Sequence, residues 1–211
     1  MPFRKERFDL NEFYHVYNRG NNKEPIFFES ENYDFFLRKF FKYFPLNIAE
    51  IHAFCLMPNH YHFLIRIPDE TDISNRMKYF GISYAKAINI RYKRTGHLFE
   101  GIFRIKRVDS NEYLIHLSRY IHLNPLFAKL VCKAEDWYFS SYQKYLSVID
   151  SRSFSPDMKG KLRESTVSDD IGSYVNTAVI LSQFGSSLEY KDFIESFADA
   201  KLKEIEESLW R

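Results

Sequence analysis

Ile51-His52-Ala53-Phe54-Cys55-Leu56-Met57-Pro58-Asn59-His60-Tyr61-His62-Phe63-Leu64-Ile65-Arg66-Ile67 is the stretch that decides the fold. Two apolar runs rich in β-branched and aromatic residues, Ile51 to Leu56 and Tyr61 to Ile67, flank Met57-Pro58-Asn59. That is close to a minimal hairpin, and Pro68 closes its second strand. Side chains alternate faces along a strand, so His60 and His62 point the same way and can grip one metal ion. A His-x-His pair by itself is a weak signal, and its meaning depends on its surroundings.

Upstream, Phe13-Tyr14-His15-Val16-Tyr17 reads as a strand leaving through the turn Asn18-Arg19-Gly20-Asn21-Asn22. A helix capped by Ser30 or Asn32 follows, with Tyr33, Phe36, Leu37, Phe40, Phe41 and Phe44 at helical spacing until Pro45. Downstream, Ile73 to Tyr92 is helical and ends at Lys93-Arg94-Thr95-Gly96. A strand from Ile102 to Val108 comes next. Asp109 or Ser110 then caps a helix carrying Tyr113, Leu114, Leu117, Tyr120 and Ile121, expected to end near Pro125. The order strand, helix, hairpin, helix, strand, helix predicts an α+β fold, ferredoxin-like, with helices packed on a mainly antiparallel sheet. Weaker helical patterns from Tyr174 to Phe184 and Tyr190 to Leu209 suggest a helical C-terminal extension. The expected division is 1–146 for the main domain and 147–211 for the extension.

The chain has 211 residues, 45% hydrophobic and 27% charged, enough to bury a real core. Aromatic residues reach 18%, which leaves some flat side chains for stacking. No apolar run approaches the roughly 18 residues of a membrane span, and Met1-Pro2-Phe3-Arg4-Lys5-Glu6-Arg7 lacks the apolar core of a signal peptide. The expectation is a cytoplasmic protein without membrane contact, with Cys55 and Cys132 as buried thiols. The net charge of +2 hides an asymmetry: residues 1–133 carry +7 and residues 134–211 carry −5. Between Arg76 and Arg107 stand nine basic residues and one acid, Glu100. That density predicts a surface for a polyanion.

On the helix beginning near Asn111, His116, Tyr120 and Asn124 follow one another at four-residue steps and form a stripe. Were that stripe to dock beside the His60/His62 strand, two imidazoles, one amide oxygen and one phenol would share a site. Such a set can bind a divalent ion and place a nucleophile next to it.

Three ordered segments carry a family resemblance: Pro58-Asn59-His60-Tyr61-His62-Phe63-Leu64-Ile65, then Gly96-His97-Leu98-Phe99-Glu100-Gly101, then Arg119-Tyr120-Ile121-His122-Leu123-Asn124-Pro125. Together they resemble the single-tyrosine HUH transposases, and most of all the branch of REP-associated tyrosine transposases, over roughly residues 10 to 145. The resemblance implies a nuclease and strand transferase acting on single-stranded DNA with palindromic hairpins. It implies His60, His62 and Asn124 as ligands of Mg²⁺ or Mn²⁺, and Tyr120 as the nucleophile that forms a 5′-phosphotyrosine link. His116, one turn before Tyr120, is a candidate for handling the proton. Arg91, Lys93, Arg94, Arg104 and Lys106 are expected to contact DNA, with Asn18 and Arg19 as further candidates. Ile102 and Phe127 depart from the pattern, since relatives often carry basic residues there.

The partner expected is hairpin DNA, and both monomer and homodimer are compatible with the pattern. Two rival readings are a non-catalytic, domesticated binder of structured repeat DNA and a metal-dependent hydrolase of small molecules. The second lacks an acid/base carboxylate near the motif.

Overall fold

A computed structural model describes residues 8–69, 72–150 and 173–196. Its centre is a four-stranded antiparallel sheet of β1 (Phe13–Arg19), β2 (Glu50–Met57), β3 (His60–Arg66) and β4 (Arg104–Val108), in the order β2-β3-β1-β4. Helices α1 (Ser30–Tyr43) and α2 (Ile73–Arg91) make the two connections, giving the βαββαβ ferredoxin-like arrangement. The predicted fold class is therefore observed.

The β2–β3 hairpin is tighter than predicted. Met57 pairs with His60, leaving Pro58 and Asn59 as a two-residue turn, so His60 opens β3. Residues opposite one another on neighbouring strands share a face. Tyr17 pairs with His62 and Arg19 with His60, which puts Tyr17, Arg19, His60 and His62 on one side of the sheet. The other side carries Val16, Tyr61, Phe63 and Ile65, all buried. There α1 and α2 close the core through aromatic packing, with Phe40 and Phe63 stacked at 4.1 Å and Phe80 edge-on to Phe36 and Phe40.

Helix α3 (Asn111–Phe127) covers the histidine side. Ser110 caps it by accepting from the Tyr113 N–H, as expected. Its end differs from the expectation, because the helix passes through Pro125 to Phe127. Leu123 and Pro125 are buried, and that packing holds the last turn although proline disfavours it. At α1 the cap is also not as predicted. Glu29 occupies the capping position without a side-chain bond, while Asn32 Oδ1 reaches back to the Phe28 N–H at 2.9 Å.

The free edge of β2 is covered. The Leu56 N–H donates to the Phe139 carbonyl, the Ser141 N–H to that of Phe54 and the Asn176 N–H to that of Ile51, at 2.8–2.9 Å. Helix α4 (Tyr142–Asp150) runs across the expected division at residue 146, and the short helices α5 (Ala178–Leu181) and α6 (Ser187–Glu195) follow. Val175, Ile180, Tyr190 and Ile194 are buried in the same core as the sheet. The last expected helix, to Leu209, extends beyond the described residues. Cys55 is buried as expected, whereas Cys132 is exposed, because the chain past α3 runs over the surface. Among the described residues no helix is long and apolar enough to cross a membrane.

Candidate active site

The antiparallel hairpin delivers His60 and His62 to the end of the sheet where β1 stops, and α3 lays Tyr120 and Asn124 over them. The Tyr120 ring is edge-on to His62 at 5.4 Å. His60 Nε2 lies 3.2 Å from Asn124 Oδ1. Four residues predicted from spacing and resemblance are therefore adjacent within one chain. Tyr120 is only 5% exposed, so its side chain is held against the sheet.

The hydrogen bonds define which atoms face the site. Asn59 Nδ2 donates to the Lys23 carbonyl at 3.0 Å, which turns Asn59 Oδ1 toward His60 Nδ1 at 2.6 Å. An amide oxygen only accepts, so the His60 proton sits on Nδ1 and Nε2 carries a lone pair. Asn124 is oriented in the same manner, its Nδ2 donating to the Tyr120 carbonyl at 3.3 Å. Two lone pairs thus face each other 3.2 Å apart. A cation relieves that opposition. Neighbouring ligands of a six-coordinate ion with bonds near 2.1 Å lie about 3.0 Å apart, so the pair fits a divalent metal. Among the described residues no three His, Cys, Asp or Glu side chains gather in a metal-binding group, and the third donor here is an amide.

Electrostatics support ligation by neutral imidazoles. Burial is the main cause that lowers His60 to about 4, with the Asn124 oxygen opposing the shift and the charge of Arg19 adding to it. Burial pushes His62 well below the ordinary histidine range, with His15 and His60 adding to the effect. Both rings are therefore uncharged at neutral pH, each with one N–H and one lone pair, the state a metal requires.

Spacing alone missed His15. Its Nε2 is 2.9 Å from His62 Nδ1, and its ring stacks on Tyr17 at 4.6 Å. The alternation Tyr14, Val16 against His15, Tyr17 was the available signal, but it becomes meaningful only once β1 is known to neighbour β3.

His116 is turned away from Asn124. Each four-residue step overshoots a full helical turn by about 40°, so two steps separate their directions by about 80°. Its Nδ1 accepts from Arg119 at 2.8 Å, and its ring lies 5.6 Å from Phe193 of α6. Residues flanking Tyr120 are engaged by the same element. Arg119 donates to the Phe193 carbonyl at 2.9 Å and lies over its ring at 3.5 Å. His122 Nδ1 and Ser118 Oγ both meet the Tyr190 hydroxyl, at 2.8 and 3.1 Å. Helix α6 thus grips the back of the helix whose front carries Tyr120.

The expected DNA-contacting residues fall into two groups. Arg104 and Lys106 pair with Tyr17 and His15 across the sheet, so they share the face of the site. Arg91, Lys93 and Arg94 lie at the end of α2, which packs on the opposite face. There Arg91 pairs with Glu29, and Arg94 lies 3.5 Å from Glu24 and over the Phe28 ring, while Lys93 is exposed. At the end of β1, Asn18 Nδ2 donates to the Gly101 carbonyl at 3.2 Å, and Arg19 makes a two-pronged ion pair with Glu100. The Gly96–Gly101 segment therefore lies alongside the end of β1, with Gly20 and Phe99 bridged. Ile102 and Phe127, the two positions expected to depart from the family pattern, are 58% and 41% exposed and present apolar surface.

A His-x-His strand facing a tyrosine-bearing helix across a ferredoxin-like sheet defines a protein of the single-tyrosine HUH class. The chain belongs to the family of IS200-like transposases, whose sequence model matches residues 10–124. Among solved structures, it is similar to a REP-associated tyrosine transposase bound to a REP hairpin. The TM-score is 0.59 and the identity 16%, over 79% of this chain and 96% of that one. A Deinococcus radiodurans R1 protein described as a transposase matches at 17% identity over 56% of this chain and 95% of that one. Its TM-score is 0.39. No curated protein sequence matches the chain.

Proposed function

We propose that this transposase-family protein nicks and rejoins single-stranded DNA at or near palindromic hairpins, with Tyr120 as nucleophile and His60, His62 and Asn124 as ligands of Mg²⁺ or Mn²⁺. The observation that carries the reading is the opposition of the His60 and Asn124 lone pairs beside the Tyr120 helix. When bound, the ion polarises a phosphate oxygen and stabilises the charge that develops on it.

The chain's own residues supply the remaining work. Tyr120 Oη attacks the scissile phosphorus as its phenolic proton leaves. The bond from phosphorus to the 3′ oxygen breaks, and that oxygen takes up a proton to become a free 3′-hydroxyl. A 5′-phosphotyrosine ester remains, and because one ester replaces another, a second 3′-hydroxyl can reverse the step without ATP. Asn124 holds its amide toward the site through Tyr120's own carbonyl, so nucleophile and ligand are positioned by the same helical turn. Arg104 and Lys106, on the face of the site, attract the phosphate backbone. Proton handling by His116 is not part of this mechanism, since Arg119 engages its Nδ1.

The hairpin substrate is proposed from the relative solved with a REP hairpin together with the basic stretch between Arg76 and Arg107. The test is incubation with Mn²⁺ and labelled single-stranded hairpin oligonucleotides from the flanks of the protein's own gene, resolved on a denaturing gel. A covalent adduct with the wild type and none with Tyr120→Phe is the expected result. Tight binding with no adduct on any such substrate would replace this reading with the non-catalytic binder.

A further inference from the structure

We propose that His15 is a positioning residue of the metal site: its Nε2 accepts the Nδ1–H of His62, which locks the His62 ring and leaves His62 Nε2 as the ligand atom. This inference rests on the reading of His60, His62 and Asn124 as a metal site.

His15 lies on β1, the strand next to β3, and is fully buried. The two imidazoles lie 29° from parallel with centroids 5.0 Å apart, and their nitrogens approach to 2.9 Å. Tyr17 stacks on His15 at 4.6 Å, which restrains its ring. A neutral imidazole has one N–H and one lone pair, so the single proton between the two nitrogens belongs to one ring only. If it belongs to His15, His62 carries its own proton on Nε2 and cannot ligate through that atom. If it belongs to His62 Nδ1, Nε2 is a lone pair available to the ion.

His15 Nε2 faces His62 Nδ1 in a fully buried contact, and the Tyr17 ring stacked on His15 holds that nitrogen in place to accept. His60 has the matching arrangement, with its Nδ1 proton given to Asn59 Oδ1. Each histidine of the pair thus has its Nδ1 side occupied by a residue outside the metal set. Such outer partners fix tautomer and orientation, and their loss typically weakens metal affinity by about 10- to 100-fold.

The test is titration of the full chain with Mn²⁺, followed through the spin-resonance signal of the free ion, for the wild type, His62→Ala, His15→Phe and His15→Gln. The expected result is affinity reduced about 10- to 100-fold in His15→Phe. Recovery is expected in His15→Gln, whose Oε1 can accept the same N–H. Failure of the wild type to bind Mn²⁺, or equal binding by His62→Ala, would remove the metal site and this inference with it. Binding through His62 that His15→Phe leaves unchanged would overturn the role of His15 alone. Nitrogen NMR of histidine-labelled wild type saturated with Mg²⁺ needs no variant, and so decides the matter even if His15→Phe does not fold. His62 protonated at Nδ1 is expected, and a proton on His62 Nε2 would overturn the proposal.

Discussion

Acidification is expected to unfold this protein well above the range where carboxylates titrate. His15, His52, His62 and His122 are all fully buried. Burial lowers His15 and His122 to about 3, His52 to about 4 and His62 well below the ordinary value. In the unfolded chain each returns to about 6.5. A histidine lowered in the folded state favours folding above its unfolded pKa and loses that contribution as pH falls toward the folded value. Between pH 7.5 and 5.5 the unfolded state gains close to one proton per histidine that the folded state does not, worth about 1.4 kcal/mol each. Four such groups amount to about 5 kcal/mol, a large part of the 5–15 kcal/mol typical of a domain. The assay is urea unfolding at pH 7.5, 6.5, 6.0 and 5.5, with EDTA present so that metal does not contribute. A loss smaller than about 2 kcal/mol across that window would mean that the folded state takes up the protons, and the account of these burials would be refuted.

Three other perturbations follow from the contacts. Tyr190→Phe removes the hydroxyl shared by His122 and Ser118 in a buried setting, so a loss of about 2–3 kcal/mol is expected. Calorimetry should show Tm lower by about 5–10 °C, and a shift below 1 °C would contradict the grip of α6 on α3. Gly20→Ala would place a Cβ 1.9 Å from the Glu24 carbonyl oxygen, and the Gly20 N–H bonds to Asn59 beside His60. A destabilisation of about 1–3 kcal/mol in urea unfolding is expected; wild-type stability would show that the turn opens freely. Glu100→Gln removes the charge that neutralises Arg19, so the slope of log affinity for hairpin DNA against log salt should steepen by about one unit. An unchanged slope would place Arg19 outside the DNA path.

Much of the site was legible because its chemistry lies in short-range patterns. The two-residue alternation of β3 aligns His60 with His62, and one helical turn aligns Tyr120 with Asn124. His116 shows where such reasoning ends, since a stripe drifts around the helix and its far end met Arg119 and Phe193 instead of the histidines. Pro125 shows a local preference overridden by packing. Cys132 shows that a helix signal nearby says little about burial in the segment that follows it.

The amino-acid sequence by itself determined the elements, the hairpin, the facing of His60 and His62, and the family. Tertiary structure alone decided that β1 lies between β3 and β4, which sets His15 against His62 and splits the basic residues between two faces of the sheet. It also decided that Glu100 neutralises Arg19 and that α6 closes on the back of the tyrosine helix. The physical reason is separation along the chain. Periodicity records which face a residue occupies within its own element, whereas the residue across the sheet is chosen by pairing and packing of segments that are 47 positions apart for His15 and His62 and 81 for Arg19 and Glu100.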